Sequence, residues 1–194
     1  MSQDKPRTDP RILRTRQLLK DAFVDLLQEM DIEKISVNKI AERATINRVT
    51  FYLHYRDIPD MLEKMADEMI EDIQLAVNRE PAHPNQTEDE DELAMLSLLE
   101  HIAEHAKFFK VVLASRRTPI FTERLLRMLS ETVRQRLESG RPSFVNTAGV
   151  QKDIAVWYSS AALIGTIVSW VRNDMPYSPR FLAQQFSLLR THNQ

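Results

Sequence analysis

Apolar residues recur at intervals of three and four along nearly the whole of this 194-residue chain, and no valine- or threonine-rich run alternates with a period of two. A spacing near 3.6 stacks side chains along one face of an α-helix, so the pattern predicts a chain that is almost all helix. The first helix opens at Asp9 and Pro10 and is predicted to run to Met30. Proline suits a first helical position because the N–H it lacks would have no intrahelical partner there. Leu18, Leu19, Ala22, Phe23, Leu26 and Leu27 form the apolar side of this helix. Ser36 can cap a second, short helix whose inner face is Val37, Ile40, Ala41 and Ala44. Thr45 and Ile46 break that period and Asn47 offers another cap, after which Asn47, Phe51 and Tyr55 follow at four-residue spacing on one side of a third helix. Asp57 with Pro59 opens a fourth, sustained to about Val77 by Met61, Leu62, Met65, Met69, Ile70 and Ile73. Residues 79–92, proline-containing and acidic, predict a loop. Helical blocks follow over roughly 92–114, 118–139 with Thr118 and Pro119 as cap and first residue, and 150–173, and a last helix starts at Ser178 and Pro179.

The third helix turns a polar side outward. Arg48, Thr50, Tyr52 and His54 supply a guanidinium able to pair bidentately, a hydroxyl, a phenol and an imidazole within about two turns. Taken singly, each is an ordinary surface residue. Taken together, on a short helix joined to another by a three-residue turn, they suit the edge of a DNA groove flanked by phosphates.

Residues 36–56, SVNKIAERATINRVTFYLHYR, and their TFYLHY core in particular, resemble the N-terminal helix-turn-helix of the TetR family of bacterial transcriptional regulators. The resemblance implies an all-α fold, with a three-helix DNA-binding domain over residues 1–56 and a helical effector-binding and dimerisation bundle over residues 57–194. By position it implies Arg48 and Val49 at bases, Thr50, Tyr52 and His54 at phosphates, and further contacts from Ser36, Val37 and Asn38. Two departures stand out: Thr45 occupies a turn position where the family usually has Gly, and Arg56, Asp57 and Ile58 replace the Lys usual after the recognition helix. Arg56 then becomes the candidate phosphate contact. On this reading Arg48→Ala relaxes sequence preference while Tyr52→Phe weakens all sequences alike.

A net charge of −2 does not by itself favour phosphate neutralisation, yet the charge is unevenly placed. Residues 1–20 hold six basic against two acidic side chains and residues 34–56 hold five against one, whereas residues 57–92 hold two against thirteen. Positive charge thus gathers in the two segments expected at DNA, with Arg7, Arg11, Arg14 and Arg16 near the start of the first helix placed to reach phosphates. The absence of cysteine excludes disulfides and thiolate metal sites, and the polar opening MSQDKPRTDPR lacks the apolar core of a signal peptide, so a bacterial cytoplasm is expected.

Residues 154–171, IAVWYSSAALIGTIVSWV, hold no charge over eighteen positions. A membrane span is rejected because serines and a threonine dilute the run and because Ala161, Gly165 and Ser169 form a small-residue line that lets another helix come close. The C-terminal run WYSSAALIGTIVSWVRNDMPYSP also resembles the ending of a TetR subgroup, in which the last two long helices form a two-fold dimer interface. Ala161, Ile164, Gly165, Val168, Ser169 and Trp170 are the expected interface residues. A homodimer fits the physics, since one short recognition helix reads too few base pairs and two heads about 34 Å apart can read a palindrome.

The family further implies a small-molecule effector, with Phe108, Phe109, Phe121, Met128 and Trp157 as pocket candidates and release of a repressor from its operator as the mechanism. The alternative is a C-terminal domain that binds a protein co-regulator. An enzyme must also be weighed, because His101, Glu104 and His105 spell H-x-x-E-H, the inverted zinc-peptidase signature. No further ligand stands out beyond ordinary helix glutamates such as Glu123 or Glu131, and no strand pattern offers a substrate edge. The expectation is therefore a solvated helix face, with no catalytic residue, no metal and no cofactor, and a regulatory metal site is the second reading of the motif.

Overall fold

The carboxylate of Asp9 accepts the Arg11 N–H at 2.8 Å and Pro10 fills the first turn, so α1 (Pro10–Glu29) begins where the sequence predicts. Ser36 Oγ accepts the Lys39 N–H at 3.3 Å to open α2 (Val37–Arg43), and Asn47 Oδ1 accepts the Val49 N–H at 2.8 Å to open α3 (Arg48–Tyr52). Asp57 likewise accepts the Asp60 N–H at 2.8 Å ahead of α4 (Ile58–Val77). The computed structural model describes residues 9–78, 90–114, 118–139 and 149–191. Its later helices are α5 (Glu90–Glu104), α6 (Ala106–Ala114), α7 (Pro119–Glu138), α8 (Lys152–Arg172) and α9 (Pro179–Thr191), and there is no strand among the described residues. Most of the expected 79–92 loop lies outside them, and its last three residues belong to α5.

The chain divides into two compact units, Met1–Met65 and Ala66–Gln194. The division falls inside α4 rather than before it, as the sequence suggested at residue 57. The first turns of α4 belong to the N-terminal unit because Met61 and Met65 are buried and Lys64 donates to the carbonyl of His54 at 3.0 Å. In this unit α1 packs on α2 and α2 on α3, around Leu19, Phe23, Leu26, Ile40, Phe51 and Tyr55. Arg43 donates to both carboxylate oxygens of Glu29, at 2.8 and 2.6 Å, tying α2 to the end of α1.

The turn between α2 and α3 fixes the reading helix. The Ile46 N–H donates to Ala41 O at 2.9 Å and the Thr45 N–H to Glu42 O at 3.0 Å, the paired bonds of a Schellman ending. That motif places Thr45 at φ +56°, in the left-handed region where a β-branched residue is strained and glycine is not. Thr45→Gly should therefore raise the stability of the N-terminal unit by about 1 kcal/mol, read as a higher denaturation midpoint with unchanged slope. An unchanged or lower midpoint would show that the turn is not strained.

The C-terminal unit contains α5 to α9 and the remainder of α4. Helix α7 packs on α8 and α6 and buries Phe121, Leu125, Leu129 and Val133, one residue every four. Helix α5 packs on α9, while α6 packs on α8 and α7. These different partners explain why the block expected at 92–114 is not one helix: it breaks at His105, so that each half follows its own neighbour. Thr118 precedes α7 as expected but its side chain does not cap it; its hydroxyl donates to Val112 O at 3.3 Å. Lys110 of α6 pairs with Asp174 beyond α8, and Arg134 of α7 with Asp153 of α8 at 3.8 Å. Helix α8 is long and apolar enough to cross a membrane, with mean hydropathy 1.6 over its window. Its inner side, including Ala155, Val156, Leu163 and Ile167, is buried against α6 and α7, the placement of a core helix.

Candidate nucleic-acid interface

Helix α3 has two sides of opposite character. Phe51 is fully buried and Tyr55, just past the helix, is nearly so, their rings 5.5 Å apart. Outward from them stand Arg48, Val49 at 66% exposure, Tyr52 at 46% and Leu53 at 76%. The Arg48 guanidinium donates to the Tyr52 hydroxyl at 3.1 Å, and its central carbon lies 5.5 Å from the centre of the phenol ring. These two contacts turn the exposed Arg48 side chain along the helix toward Tyr52.

The other expected contacts are placed less openly. Thr50 and His54 are half-buried rather than fully outward. Helix α3 ends at Tyr52, which brings His54 into the turn that follows. Burial, and then the positive charges of Arg16 and Lys64, hold the His54 imidazole below its ordinary range, which favours the neutral ring with one N–H donor. Ser36 and Asn38 are exposed at the start of α2 and Val37 is half-buried. The Ser36 oxygen accepts within its own helix, leaving its O–H to donate outward.

Arg56 is well exposed, but its side chain pairs with Asp60 at 3.3 Å and its backbone N–H donates to the same carboxylate at 3.0 Å. The Arg56 backbone N–H first, and then Lys64 Nζ, which donates to the same carboxylate at 2.9 Å, hold the Asp60 carboxyl below the usual carboxylate range. Two residues outside the sequence reading stand beside these. Lys64 lies ten positions beyond His54 and reaches it only because α4 folds back. Leu53 is a large apolar side chain on the polar side of the helix period, and that mismatch was its one signal.

In the C-terminal unit Phe108, Phe109 and Phe121 do come together, Phe108 meeting the other two edge-on at 5.3 and 5.7 Å. Phe109 and Phe121 are buried, while Phe108 and Met128 are half-buried. Trp157 does not join them: it is 66% exposed, because the inward register of α8 runs through residues 155, 156, 159 and 160.

Ala161, Gly165 and Ser169 lie exposed in one line, with Ile154, Trp157 and Tyr158 exposed toward the start of the same helix. Ile164 and Val168 sit at the margin, 8% and 9% exposed. Trp170 must be removed from the expected interface. It is 4% exposed and its indole N–H donates to Tyr177 O at 2.9 Å, so it closes the C-terminal end of α8 within its own chain.

A short helix presenting Arg48 and Tyr52, docked by a tight turn on a capped scaffold helix and followed by an all-helical bundle, defines a helix-turn-helix regulator. A TetR-class family model described as "Transcriptional regulator C-terminal region" matches residues 89–192, more than half of the chain. The protein belongs to the TetR family of transcriptional regulators, which are not enzymes. A curated relative, the HTH-type transcriptional regulator YxbF of Bacillus subtilis (strain 168), is 24% identical over 168 residues. That match covers 86% of this chain but only 42% of the relative's length.

Among solved structures, a TetR transcriptional regulator from Streptococcus agalactiae 2603V aligns with a TM-score of 0.68 at 20% identity, covering 93% of this chain and 96% of that one. The regulator FadR from Bacillus subtilis in complex with stearoyl-CoA aligns with a TM-score of 0.59 at 19% identity, covering 90% and 97%.

Proposed function

We propose that two copies of this chain bind a palindromic operator in double-stranded DNA, each inserting α3 into a major groove, and repress transcription in the cytoplasm until a small-molecule effector lowers operator affinity. The observation that supports this most directly is the exposed Arg48–Tyr52 pair on a helix whose other side is locked by Phe51. Arg48 can read a guanine bidentately, Val49 and Leu53 can meet thymine methyl groups, and Thr50, Tyr52, His54 and Ser36 can donate to phosphates. The exposed small-residue line of α8 supports pairing of two copies. For the effector, the aromatic cluster of Phe108, Phe109 and Phe121 favours an apolar molecule, and FadR, a protein of this fold, takes an acyl-CoA.

The Arg48–Tyr52 bond changes one expectation. A phenol that accepts from Arg48 and donates to a phosphate links base reading to backbone contact, so Tyr52→Phe should lose discrimination as well as affinity. The test begins by selecting bound fragments from the source genome to obtain the operator. Arg48→Ala should then cost about 1–3 kcal/mol at one base pair per half-site while binding to random duplex changes little. Tyr52→Phe should weaken both and blunt preference at that same base pair, and the double variant should lose less than the sum. Equal losses on operator and random duplex for Arg48→Ala would refute its base-reading role.

A further inference from the structure

His101, Glu104 and His105 occupy the place where the C-terminal unit breaks α5 from α6. The backbone ladder continues across the break, the His105 N–H donating to His101 O and the Phe109 N–H to His105 O, both at 3.2 Å. Both imidazoles consequently stay on one side, with ring centres 4.7 Å apart. The His101 ring is half-buried and stands edge-on to the buried Phe109 at 5.8 Å, which fixes its orientation. Glu104 and His105 are exposed, and one ligand atom from each of the three residues lies within 4.8 Å of the others. A tetrahedral zinc with bonds of about 2.0–2.1 Å sets its ligand atoms roughly 3.3 Å apart. Small rotations of the two exposed side chains close that difference while His101 stays in place.

We propose that His101, Glu104 and His105 bind a divalent transition cation of the zinc, nickel and copper type. Two imidazole nitrogens with one carboxylate suit these borderline ions, whereas calcium and magnesium take oxygen ligands and have little affinity for imidazole nitrogen. Glu104 serves here as a ligand, so no general base remains and no hydrolysis follows. Water completes the coordination on the exposed side. The consequence is mechanical: His101 and Glu104 end α5 while His105 lies between the helices, so the cation clamps the junction between a helix packed on α9 and one packed on α8 and α7.

The test uses the untagged full-length protein, stripped with chelator and titrated calorimetrically with Zn²⁺, beside Glu104→Gln and His105→Ala, whose exposed side chains leave the fold intact. One zinc per chain is expected, with affinity at least about tenfold weaker in His105→Ala and weakened in Glu104→Gln. Excess zinc should raise the melting temperature of the natural sequence by about 5 °C and leave that of His105→Ala nearly unchanged. Failure of the natural protein to bind zinc would overturn the site, as would undiminished binding by His105→Ala, since the chain has five histidines and another set would then hold the ion. Either result is independent of operator binding, which the Arg48 variants test separately.

Discussion

Gly165→Leu is expected to leave the single folded chain intact, and slightly more stable, while preventing two copies from pairing. A Cβ built at Gly165 meets nothing within 4 Å, so a larger side chain has room in the isolated chain. Glycine in a helix interior is also costly, and leucine should recover about 0.5–1 kcal/mol. The same side chain would stand in the line of Ala161 and Ser169 where a partner helix must approach closely. Sedimentation should show monomer, and operator affinity should fall at least about 100-fold, because one α3 offers half of the phosphate and base contacts. Circular dichroism should stay that of the folded chain. A variant that still sediments as a dimer and binds operator normally would place the pairing surface elsewhere.

Phe51→Ala should destabilise the N-terminal unit by about 3–5 kcal/mol, the cost of emptying a fully buried aromatic site. Against the roughly 5–15 kcal/mol that holds a typical domain together, this removes much of the margin. Two spectroscopic probes separate the units, because both tryptophans, Trp157 and Trp170, lie on α8. Far-ultraviolet dichroism should lose part of its amplitude at lower temperature while the tryptophan fluorescence transition keeps its own midpoint. Operator binding should weaken in step with the early transition. If the early loss of helicity fails to appear, Phe51 does not anchor the reading helix.

The metal and operator experiments bear on different units and can be combined. Zinc at the α5–α6 junction acts on the helices around the aromatic cluster, where the proposed effector would bind. Operator affinity measured with and without zinc, in the natural protein and in His105→Ala, then tells whether the clamp reaches the reading head.

The amino-acid sequence by itself determined the local elements. Cap residues with side-chain acceptors, prolines at first turns and a 3.6-residue apolar period are local signals, so Asp9, Ser36, Asn47 and Asp57 announce their helices without tertiary information. The division between Phe51 of α3 with Tyr55 just past it on one side and Arg48 and Tyr52 on the other was legible for the same reason. Tertiary structure decided what depends on neighbours distant in sequence. Trp157 and Trp170 have similar surroundings in the chain, and α8 is apolar on nearly every side, so periodicity had no polar face from which to orient them. Only packing against α6 and α7, with the Tyr177 carbonyl accepting from Trp170, turned one outward and the other in. The break at His105 likewise arises because α5 and α6 meet different helices, and local propensity contains no record of those partners.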